Sequence, residues 1–144
     1  MMTSKVIMLF FCFISSHFFS QKIIEDFNND TIKDTLTYKC YRVDASKNIN
    51  EPICKCKITL GVKKKEYDFI LPYVSDITIS SCGAGCISVY DASKDTELIE
   101  EYFYNKKYDD WILRNKELNE KYRNKTKNKP KKYLISISSR KFNK

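Results

Sequence analysis

The chain has a single histidine, His17, and it falls in a stretch that reads as a cleaved leader. Lys5 is followed by the apolar run VIMLFFCFI at 6–14 and then by SSHFFS at 15–20, the n-, h- and c-region order of a secretory signal peptide. Long hydrophobic runs are also lacking: spanning a bilayer takes about 20 apolar residues, and Ser15, Ser16 and His17 break this run too early. The residues before Cys12 are Leu9, Phe10 and Phe11, not the small ones that a lipoprotein signal needs. Cleavage is therefore expected after Ser20, giving a periplasmic or extracellular chain that starts at Gln21 and has no transmembrane segment.

A mature chain without histidine excludes Ser–His–acid and Cys–His catalysis, histidine general bases and histidine metal ligands. No C-x-x-C motif is present, so a thioredoxin-like redox role has no support. The single tryptophan gives no aromatic-rich sugar cleft. Carboxylates remain the only route to hydrolysis. Glu100 with Glu101 and Asp109 with Asp110 are the candidates, but neighbours on a strand point to opposite faces. The chain is therefore expected not to be an enzyme.

Five cysteines follow the leader: Cys40, Cys54, Cys56, Cys82 and Cys86. In an exported protein they read as disulfides. Cys82 and Cys86, joined by Gly-Ala-Gly, suit a local bond, and Cys40 suits Cys54 or Cys56. One thiol is left over. A four-thiolate zinc site from C-x-C and C-x3-C is the rival, but it lacks the usual C-x2-C knuckles.

Period-2 alternation dominates the rest. In ICKCKITLGV at 53–62, Cys54, Cys56, Ile58, Leu60 and Val62 share one face. Strands are also read at 36–43, 66–71, 77–81, 86–90 and 133–138. Residues 96–104 and 111–114 read as a hairpin, with a helical stripe through Leu98, Ile99, Tyr102 and Phe103 as the alternative. Residues 1–20 are thus a leader and 21–144 one compact antiparallel β domain. Seven or eight short strands, a short helix near 115–123 and a basic loop at 114–132 complete the expectation.

Charge is segregated. Residues 21–113 hold 13 Lys+Arg against 16 Asp+Glu, whereas 114–144 hold 12 against 2. The basic segment offers an anion-binding surface as an alternative function. Tyr122 and Tyr133 are too sparse as stacking platforms for nucleic acid, so no nucleic-acid partner is expected.

Residues 26–34 read DFNNDTIKD. Asp26, Asn28, Asp30 and Asp34 place side-chain oxygens at positions 1, 3, 5 and 9, and Ile32 offers its carbonyl at position 7. Calcium takes six to eight such hard oxygen ligands. The stretch resembles the calcium loop of FG-GAP or VCBS-type repeats, as found singly in small exported bacterial β proteins. That resemblance implies a structural calcium ion. One loop does not make a propeller, and none is expected. The sequence departs from the pattern at position 6, where Thr31 replaces glycine in a place that calls for left-handed backbone. The resulting expectation is a non-enzymatic exported β protein, stabilised by disulfides and calcium, that binds a protein or a cell-envelope component.

Overall fold

The computed structural model describes residues 20–120 and 135–138. The leader read at 1–20, apart from Ser20, lies outside the described residues, as do 121–132 of the expected basic loop. The chain forms eight strands: β1 (Gln21–Glu25), β2 (Asp34–Tyr41), β3 (Ile53–Thr59), β4 (Glu66–Pro72), β5 (Asp76–Ser81), β6 (Cys86–Ala92), β7 (Thr96–Asn105) and β8 (Asp110–Glu120). They make two four-stranded antiparallel meanders, β1-β2-β3-β4 and β5-β6-β7-β8. The described residues form neither a closed barrel nor a propeller. No helix among them is long and apolar enough to cross a membrane.

Alternation explains how the sheets share one core. Leu36 and Tyr38 of β2, Cys54, Cys56 and Ile58 of β3, and Phe69 and Leu71 of β4 are buried from one sheet; Ile79, Ile87, Val89, Tyr102, Trp111 and Leu113 are buried from the other. Every second residue of a half-buried strand faces inward. Asp91, at the inner end of β6, accepts the Val74 N–H (2.8 Å) and so steadies the crossover from β4 to β5. Ile137 is also buried, and its N–H donates to the Trp111 carbonyl (2.8 Å). Of the strand expected at 133–138, the described part makes one bridge, Ile112 with Ser136.

Three expectations change. Neither the helix expected near 115–123 nor the loop expected from 114 is present up to residue 120, because 114–120 continue β8. Polar sequence there is held by an available neighbour: Leu98 pairs with Leu118 and Glu100 with Lys116. The register shifts between Glu101 and Tyr102, and Arg114 is the extra residue of the resulting bulge. A further strand, β1, appears where the sequence showed no alternation, since QKIIE borrows its ladder from β2. Val62, expected on the buried face, is 58% exposed: β3 ends at Thr59 and the chain turns through Lys64, which has a φ of 52°.

The cysteines form Cys40–Cys54 and Cys82–Cys86, which rules out the four-thiolate zinc alternative. Cys40 faces Cys54 in the β2–β3 register. Cys56 is the leftover thiol and is buried in the core. Burial pushes its thiol up to about 12, which keeps it out of the reactive thiolate form. In the native protein Cys56 is expected to resist a thiol reagent at neutral pH and to react at once in denaturant. Rapid labelling of the folded chain would contradict this.

Candidate functional site

Four chain segments meet at one end of the molecule: the 26–34 loop, the β3–β4 hairpin tip, the Cys82–Cys86 turn and the β7–β8 turn. Their meeting depends on local backbone chemistry. Asp26 accepts the N–H groups of Asp30 (3.1 Å) and Thr31 (2.8 Å) on its two carboxylate oxygens. Asn28 Oδ1 accepts the Asp30 N–H (3.2 Å), and Asp30 Oδ1 accepts the Ile32 N–H (2.9 Å). Side chains at every second position thus curl the loop by capping its own backbone. Thr31 has a φ of 72°. The loop keeps the left-handed path that glycine would take, at a cost of about 1–2 kcal/mol for a residue with a Cβ.

Asp34 behaves differently. It is fully buried; its Oδ2 accepts the Phe27 N–H (2.9 Å) and its Oδ1 the Gly61 N–H (2.8 Å). One carboxylate therefore ties both ends of the loop to the hairpin. Burial pushes this carboxyl upward, against the backbone N–H groups that hold it down. Gly61 is required by the same contact: a Cβ there would lie 2.4 Å from the Lys33 carbonyl oxygen. On the other side, the Gly85 N–H donates to the Asp26 carbonyl (2.7 Å), so the Cys82–Cys86 turn backs the loop.

The expected calcium ligands are consequently split. Asp26, Asn28 and Asp30 lie together in the curled part, and Ile32 follows with its N–H on Asp30. Asp34 is committed to two N–H groups behind them. Among the described residues no three His, Cys, Asp or Glu side chains gather closely enough to hold a metal as they stand. The donor chemistry still suits calcium, since a carboxylate oxygen that accepts one N–H keeps a second lone pair.

A cleft of ≈ 450 Å³ opens beside the loop, lined by Asn28 and Asp30, by Leu60, Val62, Lys63, Lys65 and Tyr67, and by Tyr104, Lys106 and Asp109. Its base is stiff. The Tyr67 and Tyr104 hydroxyls both donate to Asp109 Oδ1 at 2.6 Å, and Lys65 pairs with the other oxygen. Tyr67 stands edge-on to Trp111 (ring centroids 5.1 Å), with Tyr104 at 5.2 Å. Trp111 is fully buried, and its Nε1–H donates to the Phe27 carbonyl (2.6 Å). The two sheets and the acidic loop are joined at this cluster.

The clasp has a defined pH range. Lys65, Tyr104 and Tyr67 hold the Asp109 carboxyl down at about 2, and burial with the Asp109 contact pushes Tyr67 up to about 12. For Asp109, the lowered group, stabilisation is full above the ordinary value of 3.8 and is lost as pH falls through about 2. For Tyr67, the raised group, it is full below 10.0 and is lost as pH rises through about 12. Melting temperatures measured across pH are expected to show a plateau between these limits, and Asp109→Asn to flatten the acid limb. An unchanged acid limb would mean that Asp109 does not carry it.

The carboxylates considered for hydrolysis do not come together as pairs. Glu100 is buried against the Tyr102 hydroxyl (2.8 Å) and Lys116 (2.9 Å), while Glu101 accepts from Asn115 (2.5 Å). Asp110 accepts the Trp111 N–H (2.8 Å) and the Ser138 hydroxyl. Sequence reasoning missed the Tyr67–Tyr104–Asp109 cluster. Its members sit 42 and 5 positions from Asp109, and no local spacing links them. Neither a protein-family model, nor a curated protein, nor a solved structure matches this chain.

Proposed function

We propose that the protein is an exported, non-enzymatic β protein that binds a protein or cell-envelope partner through this loop end. Its shape is held by two disulfides and by a calcium ion at Asp26, Asn28, Asp30 and the Ile32 carbonyl. The observation that carries the proposal is the convergence of three separate loops on one preformed cleft with a locked base. Loops on a rigid scaffold are where binding surfaces are built. Binding is favoured over turnover because the carboxylates here are already engaged. Asp109, held near 2 by Lys65 and two tyrosines, is a poor general acid at neutral pH. Glu100 is buried and held by the Tyr102 hydroxyl and Lys116.

The test is co-sedimentation of the chain, purified with both disulfides formed, with isolated cell envelopes. Val62→Ser/Lys63→Ser/Lys106→Ser at the cleft is expected to abolish retention, and Lys22→Ser/Lys94→Ser at the far ends of the strands to leave it intact. Retention that ignores the first variant, or turnover on a broad hydrolase panel, would overturn the proposal.

A further inference from the structure

We infer that the cleft takes a carboxylated sugar, an inference that rests on the binding reading above and names its ligand. The lining makes three offers at once. Lys63 and Lys106 form no ion pair among the described residues, whereas Lys65 is neutralised by Asp109. Two lysines without an ion pair therefore line the cleft and call for an anionic ligand. Asp30 and Asn28 lie in the same cleft. Asp30 is exposed and accepts one N–H on each oxygen; of the two lone pairs left, one serves the calcium ion proposed above and one remains for a hydroxyl donor. Tyr67 and Tyr104 have committed their hydroxyls to Asp109. What they give the cleft is ring surface, beside Leu60 and Val62.

These offers select among ligand classes. A polyphosphate would use the lysines but bring no donor to Asp30, and an acidic peptide would bring no flat C–H face to the tyrosine rings. An apolar acid would leave both acceptors unused. A neutral sugar would satisfy the acceptors and ring surface but leave Lys63 and Lys106 unpaired. A pyranose bearing a carboxylate uses all three: its acid for the ammonium groups, its hydroxyls for Asp30 and Asn28, and its C–H face for the tyrosines. The volume of ≈ 450 Å³ lies in the range of about 300–1,000 Å³ usual for small-ligand sites. A single tryptophan argued against a sugar cleft, but here Trp111 is the buried support and the tyrosines supply the surface.

Calorimetric titration of the oxidised full chain with digalacturonate, in calcium and in chelator, tests this. Saturable binding is expected in both buffers, because the lysines and not a bridging ion meet the acid. Lys63→Ser/Lys106→Ser is expected to weaken it about tenfold with an unchanged melting temperature. The uncharged digalactose is expected to bind correspondingly more weakly than digalacturonate. Absence of binding, equal binding of digalactose, binding only in calcium, or equal binding of inorganic sulfate would each overturn the inference. Envelope retention that still depends on the loop end while digalacturonate fails to bind removes only the ligand class. Loss of all envelope retention removes the binding reading beneath it.

Discussion

Asp34→Ala is expected to lower the melting temperature by about 10–20 °C, whether or not calcium is present. The alanine leaves the Phe27 and Gly61 N–H groups without the carboxylate that accepts them at 2.9 and 2.8 Å. The Phe27 donor is buried and the Gly61 donor half-buried; orphaning each costs about 1–3 kcal/mol, giving a loss of about 4 kcal/mol. That is a large share of the about 5–15 kcal/mol by which domains of this size are stable. Asp34→Asn does little better, because its amide nitrogen turns a donor toward a donor. The same geometry separates the anchor from the ion. Asp30 is exposed and caps only the loop itself, so Asp30→Ala is expected to cost about 1 kcal/mol or less. If calcium binds, the wild-type melting temperature rises saturably with calcium, and Asp30→Ala abolishes that rise. Little destabilisation of Asp34→Ala in chelator, together with loss of the calcium-dependent rise, would show that Asp34 serves the ion first and the hairpin second. No shift in the wild type at millimolar calcium would reduce the loop to an acidic turn.

The contrast between β3 and β8 shows where sequence pattern is informative. Cys54, Cys56, Ile58 and Leu60 alternate with lysine and threonine, and all four are buried. Alternation of that kind reports a strand's own amphipathicity, so it is legible without knowing the neighbours. Residues 115–120 carry only Leu118 as an apolar residue and read as helix or loop. They form a strand because β7 offers ten residues of ladder beside them, a tertiary cause absent from any window of sequence. The same limit applies to the site. Positions 26–34 were legible as an oxygen-rich loop, since their spacing is local and Asp26, Asn28 and Asp30 each cap backbone two to five residues on; the reach of Asp34 to Gly61 was not. Asp109 was visible only as half of an adjacent acidic pair. Its partners Tyr67 and Tyr104 come from two different sheets. Gly61 looked like an outward strand position and is instead the place where the loop backbone crosses the hairpin.

Trp111→Ala is expected to leave the chain largely unfolded near room temperature or to move its urea midpoint drastically. Removing a buried large aromatic costs about 3–5 kcal/mol, and here the substitution also strips the Phe27 carbonyl of its donor. Since outright unfolding would reveal little about cause, Trp111→Phe is the sharper variant. It keeps a ring against Tyr67 and Tyr104 but loses the Nε1–H bond, and is expected to cost about 2 kcal/mol. Phe103→Ala, on the outer face and 38% exposed, is the control and is expected to cost less. The Trp111→Phe loss should fall mainly on the loop end, because Phe27 is the one loop residue whose N–H is tied to Asp34 and whose carbonyl is tied to Trp111. Hydrogen exchange at residues 26–34 should therefore speed up in Trp111→Phe while the β2–β3 ladder stays protected. Uniform loss of protection across both sheets would instead make Trp111 a general core residue, with no special hold on the acidic loop.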